Sequence, residues 1–165
     1  MTLIVVEGLN SVAKTDLAVK IAETLGYLYF HYPVNLVEAR RLYPRKQGDY
    51  HMAMDMLNNP PDPSKNLVLD CYYQTQSAYG GRYAPMLESG VLPAPDYTFL
   101  LDIDPLLSDE RSPLEVNLLL TVERRQEIAE LYKSYEYDAI IAGSLTPTEM
   151  LNEVLGKVTF NSPLN

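Results

Sequence analysis

The 165-residue chain carries 13 Lys and Arg against 22 Asp and Glu residues, a formal net charge of −9, and 47% of it is hydrophobic. This length and apolar content predict one globular domain over residues 1–165. The negative charge argues against a protein that coats nucleic acid through its phosphates, so no strong nucleic-acid binding is expected. The basic cluster of Arg40, Arg41, Arg45 and Lys46 is equally well explained as a solvated helix end.

The amino-terminal stretch and the cysteine content predict a cytoplasmic protein. Cys71 is the single cysteine, which excludes an internal disulfide bond and fits a reducing compartment. The apolar residues 3–6 are too few for a signal peptide, and Glu7 interrupts them. No apolar run approaches the length of a membrane span, so no membrane partner is expected.

The first 26 residues predict a strand, a loop and a helix. Residues 3–6 form a continuous apolar, β-branched run, which is typical of a strand buried in a parallel sheet. Residues 7–13 contain Gly, Asn and Ser and indicate a loop. From residue 14 to residue 25, apolar residues recur at helical spacing, and Gly26 supplies a stop.

Strands and helices alternate through the rest of the chain. Further strands are expected at residues 27–32, 67–69, 97–101 and 138–141. Helices are expected over residues 34–58 with breaks near Pro44 and Gly48, over 72–89 with a weak point at residues 80–81, and around 122–132. A last helix is expected after the cap signal of residues 146–149 and runs to about residue 155. This pattern predicts an α/β three-layer sandwich, with a parallel sheet of about five strands and helices on both faces.

In such sheets, ligands bind beyond the carboxyl ends of the strands. Four segments follow strands directly, namely residues 8–15, 31–33, 70–72 and 102–104. We expect them to line one edge of the sheet. Asp102 and Asp104 are the weakest of these candidates, because they more simply finish a strand.

Residues 8–15, Gly-Leu-Asn-Ser-Val-Ala-Lys-Thr, fit the phosphate-loop (P-loop) motif G-x-x-x-x-G-K-[ST], except that Ala13 replaces the second glycine. In this motif, backbone N–H groups at a helix N-terminus bind phosphates, the lysine neutralises their charge and the hydroxyl holds Mg²⁺. The motif therefore predicts an ATP site in which Lys14 is exposed and Thr15 is a metal ligand. Its members are Gly8, Asn10, Ser11, Val12, Ala13, Lys14 and Thr15. The alternative is an ordinary strand-to-helix turn with a chance Lys-Thr pair. If the backbone at Ala13 needs a positive φ, its Cβ would narrow the loop.

Several segments together resemble thymidylate kinases and related deoxynucleotide kinases. Residues 5–15 look like the start of that family, and residues 70–79, DCYYQTQSAY, are similar to its D-R-Y-x-x-S-x-x-A-Y segment. Residues 95–105, PDYTFLLDIDP, resemble its P-D-x-T-x-x-L-D-x-D-P strand, and residues 30–33, FHYP, its R-F-P or R-E-P. The resemblance spans nearly the whole chain in the correct order and implies a P-loop kinase fold.

The resemblance also implies roles for individual residues. Asp70 would act near the γ-phosphate, Mg²⁺ and the acceptor phosphate, although locally it could equally be a helix cap. Tyr79 would lie beside the acceptor deoxyribose and exclude a 2′-hydroxyl, unless it is a core helix residue. Gln76 would bind the acceptor base, with Thr75 near the same pocket. The other implied acceptor contacts are His31, Tyr32, Pro33, Arg41 and Cys71.

Three departures from the family pattern remove charge from the site. Asn10 replaces an aspartate, and Cys71 and His31 each replace an arginine. An uncharged cysteine does not reproduce a bidentate guanidinium group. The remaining cations would be Lys14 and a lid residue, for which Arg111 is the first candidate. The alternatives are Arg40, Arg41, Arg45, Arg82, Arg124 and Arg125.

These features lead to the hypothesis of an ATP- and Mg²⁺-dependent kinase whose acceptor is a deoxynucleoside monophosphate, thymidylate or a 5-modified pyrimidine deoxynucleotide. One alternative is a P-loop kinase that acts on the hydroxymethyl group of a modified base. Another is a nucleotide-binding partner or regulator that has lost turnover, which Asn10, Ala13 and Cys71 support. The resemblance also implies a possible homodimer.

Overall fold

The structure is a computed structural model that describes residues 2–9, 11–31, 45–80, 83–88, 90–106, 108 and 121–160. Its strands are β1 (Leu3–Glu7), β2 (Leu28–His31), β3 (Leu67–Asp70), β4 (Tyr97–Asp102) and β5 (Ala139–Ala142). Its helices are α1 (Val12–Leu25), α2 (Arg45–Asn58), α3 (Tyr73–Ala78), α4 (Ala84–Glu88), α5 (Val122–Lys133) and α6 (Pro147–Phe160). Across the described ranges, no helix is both long and apolar enough to cross a bilayer.

The strands form one sheet in the order β2-β3-β1-β4-β5, and every neighbouring pair is parallel. This arrangement confirms the predicted five-stranded parallel sheet. The register pairs Val6 of β1 with Asp70 of β3, and Asp70 in turn with His31 of β2. The carboxyl ends of these three strands are therefore level, which brings the segments that follow them to one edge.

Helices cover both faces of the sheet, as predicted. On one face of the sheet, Ile4 and Val6 of β1 lie in a core with apolar residues of α1 and α6. On the other face, Leu3 and Val5 lie in a second core with apolar residues of α2 and α4, namely Ala53, Met56 and Leu87. A third cluster joins Leu100 of β4 to α5. Since successive side chains of a strand point to opposite faces, β1 needs apolar residues at each of positions 3–6.

Three helix boundaries differ from the sequence-based expectation. Helix α1 begins two residues earlier, at Val12, because the Ser11 hydroxyl accepts a hydrogen bond from the backbone N–H of Lys14 and caps it. Helix α2 continues through Gly48, since one glycine weakens a helix without ending it. Helix α6 extends to Phe160 because Val154 and Val158 both face the core.

The predicted weak point near Gly80 is confirmed, because α3 and α4 are separate helices on either side of it. Residues 32–44 and 81–82 lie outside the described part.

Gly8 connects β1 to the phosphate loop at a place where only glycine fits. Its φ is +137°, and a Cβ there would lie 2.6 Å from the carbonyl oxygen of Leu101 on the neighbouring strand. Both the backbone conformation and this close approach therefore exclude a side chain.

Replacement of Gly8 by alanine should lower the free energy of unfolding by about 2 kcal/mol or more, because strained φ and a backbone clash combine. Gly156→Ala is the matched control: no neighbouring atom lies within 4 Å of the added Cβ, and the site is helical, so a gain of up to about 1 kcal/mol is expected. Urea denaturation of both variants measures the difference. Equal midpoints for Gly8→Ala and the wild type would contradict the assignment.

Candidate functional site

Side chains from the start of α1 and from the end of β2 converge on Asp70, the last residue of β3. The Thr15 hydroxyl donates to Asp70 Oδ2 at 2.5 Å, and Lys14 Nζ lies 3.4 Å from Oδ1. His31 Nδ1 lies 3.2 Å from the Asp70 carbonyl oxygen and 3.6 Å from Oδ2. The level strand ends thus bring together the lysine, hydroxyl and carboxylate of the two predicted motifs.

The start of α1 provides the helix N-terminus that the phosphate-loop motif requires. Val12 is exposed there, and Ser11 is the cap. Ala13 is in the helix and packs against the core of α1 and α6. Among the described non-glycine residues, only Cys71 has a positive φ, so the condition under which the Ala13 methyl group would crowd the loop is not met.

Lys14 is 2% exposed, so the prediction that it is exposed is wrong. Its ammonium group donates to the Gly8 carbonyl oxygen at 3.2 Å and to Cys71 Sγ at 2.5 Å, besides its ion pair with Asp70. Burial by itself would lower the pKa of Lys14, but the hydrogen bond to Cys71 Sγ and the negative charge of Asp70 hold that pKa above its ordinary value. Lys14 is therefore a charged group held inside the protein by its partners.

Asp70 remains ionised at neutral pH although it is buried. Burial opposes ionisation, but the Lys14 ammonium group and the Thr15 hydroxyl keep the pKa of Asp70 below its ordinary value. The Tyr29 hydroxyl also lies 3.5 Å from Asp70 Oδ2. Asp70 thus carries the negative charge of the cluster.

The oxygen atoms of Thr15 and Asp70 are the donor type that Mg²⁺ prefers, so the pair fits this ion chemically. Within the described residues, no group of three or more His, Cys, Asp or Glu side chains is arranged to hold a metal. A magnesium ion here would therefore take its remaining ligands from phosphate and water, as this ion commonly does.

Cys71 occupies a left-handed backbone conformation, with φ of +69°, directly after β3. Its thiol is buried, and burial raises the pKa of Cys71 to about 12, so the sulfur is protonated at neutral pH. The position that carries an arginine in the resembled family therefore contributes no charge here.

Thr75, Gln76 and Tyr79 follow on α3 and the turn after it, and all three are buried. The Thr75 hydroxyl lies 2.8 Å from the hydroxyl of Tyr132 on α5 and donates to Glu7 Oε2. The Tyr79 ring is 5% exposed and packs edge-on against Tyr132, with 6.4 Å between ring centroids. Tyr79 therefore belongs to the core cluster that joins β4, α3 and α5, whether or not it also contacts a ligand.

Several predicted site residues lie outside the described part of the chain, so their predicted roles are not tested here. They are Asn10, Tyr32, Pro33, Arg40, Arg41, Arg82 and the proposed lid residue Arg111. Of the alternative cations, Arg124 pairs with Glu127 at 2.7 Å on the surface of α5, as expected for a solvated helix face.

Sequence reasoning missed Glu7, which it treated only as an acid that ends an apolar run. Glu7 is fully buried at the end of β1, and its Oε1 accepts the backbone N–H of Tyr72 at 3.0 Å. A carboxyl group inside an otherwise apolar strand must find hydrogen-bond partners, because an unpartnered buried carboxylate is costly. The position of Glu7 at the end of an apolar strand therefore indicated a buried, hydrogen-bonded carboxyl group. The sequence does not say which residues are its hydrogen-bond partners.

Lys14→Ala should lower the free energy of unfolding by about 3–5 kcal/mol at pH 7, because it leaves the buried Asp70 carboxylate unpaired. The difference should shrink as pH falls, because the unpaired, buried Asp70 carboxyl of the variant takes up a proton, whereas the wild type keeps its ion pair until the pH falls through the depressed folded-state pKa of Asp70. Urea denaturation at pH 7 and pH 4 measures it. Lys14→Ala combined with Asp70→Asn should recover part of the loss. A pH-independent loss, or none, would contradict the buried pair.

Comparison with known proteins identifies the fold. No protein-family model and no curated sequence matches this chain. A deoxyadenosine kinase from M. mycoides, solved with dCMP and dCDP as products, matches with a TM-score of 0.70 at 15% identity, over 96% of this chain and 99% of that one. A thymidylate kinase from Candida albicans matches with 0.65 at 13% identity, over 97% and 92%. A shikimate kinase from Aquifex aeolicus matches with 0.63 at 13% identity, over 99% and 100%. These relatives are named for different acceptors, so the fold leaves the acceptor open. The chain has the fold of the P-loop nucleoside and nucleotide kinases.

Proposed function

We propose that the protein is a kinase that transfers the γ-phosphoryl group of ATP to a deoxynucleoside monophosphate. The observation that carries the proposal is the convergence of Lys14, Thr15 and Asp70 on one another, at the carboxyl edge of the sheet and beside the N-terminus of α1. A cation, a hydroxyl and a carboxylate beside a helix N-terminus suit the binding of a polyphosphate with its metal ion.

Nucleotide binding requires Lys14 to change partners. In the structure its ammonium group is directed to Gly8, Cys71 and Asp70, and phosphate oxygens of ATP would replace some of these acceptors. Phosphate oxygens carry full negative charge, whereas the Cys71 thiol and the Gly8 carbonyl do not, so the exchange is favourable. Lys14 then neutralises charge on the transferred group, and ADP departs when an acceptor oxygen has formed its bond to phosphorus.

Thr15 and Asp70 are the residues that would hold Mg²⁺. When bound, that ion neutralises charge on the β- and γ-phosphates and orients them for transfer. Release of Lys14 from Asp70 towards the phosphates frees carboxylate oxygen for the metal. Arg111 is our candidate for the lid cation that would complete the charge balance.

The acceptor assignment depends on residues 70–79 and 95–105, whose resemblance is to thymidylate kinases. Gln76 is assigned to the base, and Tyr79 to the sugar. The other assigned acceptor contacts are His31, Tyr32, Pro33, Arg41, Cys71 and Thr75. We expect thymidylate or a 5-modified pyrimidine deoxynucleotide, and a homodimer stays a prediction.

A second candidate is a nucleotide-binding protein without turnover. The neutral Cys71 beside Lys14 favours it, because an arginine at position 71 would supply a cation that the cysteine does not. Phosphoryl transfer depends strongly on such cations.

Coupled ADP release, measured across deoxynucleosides, deoxynucleoside monophosphates and hydroxymethylated pyrimidines, tests the proposal. We expect Mg²⁺-dependent turnover on a monophosphate, and a loss of about a hundredfold or more in kcat for Asp70→Asn. Asp138→Asn is the matched control, since its carboxylate also accepts a hydrogen bond, from the backbone N–H of Thr98, but lies on the surface directly before β5. ATP binding without turnover on any acceptor would favour the second candidate. Absence of both would refute the proposal.

Tyr79→Phe and Tyr79→Ala separate a role in sugar discrimination from one in packing. If the ring excludes a ribose 2′-hydroxyl, Tyr79→Phe keeps the preference for deoxy acceptors. Tyr79→Ala then brings the kcat/KM values for the ribonucleotide and the deoxyribonucleotide acceptor together. Because Tyr79 is a core residue, Ala should also cost about 3–5 kcal/mol of stability. The ratio of kcat/KM values and the melting temperature are measured on both variants. A loss of stability with an unchanged ratio would leave Tyr79 with a packing role alone.

A further inference from the structure

Glu7 connects three parts of the protein through its buried carboxyl group. The residue is 0% exposed and directly precedes Gly8 of the phosphate loop. Oε1 accepts the Tyr72 backbone N–H, and Oε2 accepts the Thr75 hydroxyl, which in turn meets the Tyr132 hydroxyl. The end of β1, the turn after β3 and helix α5 are thus joined at one point.

The turn that Glu7 contacts is the strained one. Cys71 has a φ of +69°, which non-glycine residues adopt only where neighbouring contacts enforce it. Two hydrogen bonds flank it: the Cys71 N–H donates to the Val6 carbonyl oxygen at 3.0 Å, and the Tyr72 N–H donates to Glu7 at 3.0 Å. Of these two acceptors, only Glu7 is a side chain. The turn is therefore held to β1 by one backbone contact and one replaceable carboxyl group.

This turn carries the groups that face Lys14. Asp70 immediately precedes Cys71, and both contact the ammonium group of Lys14. A change of backbone conformation at Cys71 would move its sulfur directly and would alter the approach of the Asp70 carboxylate. The position of the phosphate-loop lysine therefore depends on the turn, and the turn depends on Glu7.

We propose that Glu7 is a positioning residue of the phosphate-binding site, whose carboxyl group holds the left-handed turn at Cys71 and so presents Asp70 and Cys71 to Lys14. The effect on the turn is independent of the protein's function. The effect on nucleotide binding rests on the proposed function.

The charge state of Glu7 provides a second readout. Burial raises the pKa of Glu7 to about 7, although the Thr75 hydroxyl, Lys14 and the Tyr72 N–H oppose the shift and Asp70 adds to it. Burial also raises the pKa values of Cys71, Tyr132 and Tyr137, so these three groups are neutral near pH 7. The positive charge of Lys14 and the negative charge of Asp70 offset each other in their ion pair. The groups facing Glu7 are Lys14, Asp70, Cys71, Tyr132 and Tyr137. Of these charged and titratable groups, Glu7 alone is expected to change charge between pH 6 and 8.

The first experiment uses Cys71 as a reporter, because it is the single cysteine and it is buried. The rate of its modification by a thiol reagent is measured under native conditions without nucleotide. Glu7→Ala should speed the reaction about tenfold or more, the factor expected for loss of a charged buried hydrogen bond that closes the turn. In Glu7→Gln the amide oxygen can still accept the Tyr72 N–H, and the amide nitrogen can donate to the Thr75 hydroxyl oxygen, whose own proton then turns to the Tyr132 hydroxyl. This variant should remain near the wild-type rate.

Asp96→Asn is the matched control for the first experiment. Asp96 Oδ2 accepts the Leu3 N–H at 2.7 Å, so it makes the same kind of bond to the opposite end of the same strand. Its variant should not change the modification rate. Glu7→Asp, which retains charge but shortens the side chain by one methylene group, should resemble Glu7→Ala and replaces it if Ala does not fold.

The second experiment measures the Kd of a fluorescent ATP analogue from pH 5.5 to 8.5 for the wild type and Glu7→Gln. The ratio of wild-type to variant Kd should rise severalfold through pH 7, because ionised Glu7 opposes a polyphosphate nearby. Titration of the nucleotide itself is common to both proteins and cancels in the ratio.

The outcomes separate the two proposals. A modification rate that stays at the wild-type value in both shortened variants, or that Asp96→Asn raises equally, overturns the positioning role. A flat Kd ratio overturns the effect of the Glu7 charge on nucleotide binding. If the wild type binds no nucleotide at all, the proposed function fails, while the thiol rates still decide the role of Glu7.

Discussion

The ion pair between Lys14 and Asp70 lies inside the protein, and the arrangement of the candidate site depends on it. Removal of two charges from water is expensive, and their attraction repays that cost only when further hydrogen bonds satisfy the remaining atoms. Gly8, Thr15 and Cys71 supply those contacts. The pairing is possible because β1 and β3 are adjacent and parallel, with Val6 level with Asp70.

The residues around the Lys14–Asp70 pair contribute few further formal charges. The Cys71 thiol is neutral, and His31 lies beside Asp70 with a partly exposed ring. A polyphosphate would add negative charge next to Lys14, and the reorganisation that follows has to free the lysine from its protein acceptors. Under the proposed function, the free energy of nucleotide binding would be the difference between two sets of contacts to Lys14, one with the protein and one with phosphate.

Glu7 and Cys71 illustrate how strain and burial concentrate beside the phosphate loop. A buried acid and a left-handed non-glycine residue each cost stability, and natural proteins retain such features mainly where the surrounding structure requires them. Glu7 directly precedes Gly8 and accepts the backbone N–H of Tyr72. Cys71, the residue before Tyr72, contacts Lys14 through its sulfur. Tyr79 and Thr75 extend the same packed region towards α5, so positions assigned to the acceptor also contribute to the core.

The sequence by itself determined the five-stranded parallel sheet, the helices on both faces, the strand and helix that begin the chain and the edge where Lys14, Thr15 and Asp70 meet. Local rules suffice for this, because apolar periodicity, capping and the strand-end position of ligand sites are properties of short segments. Only the tertiary structure decided that Lys14 is buried, that Glu7 holds the turn at Cys71 and that Tyr79 packs against Tyr132. Those contacts join residues as far as 68 positions apart, and they depend on strand register and on the backbone conformation at Cys71, which no short segment encodes.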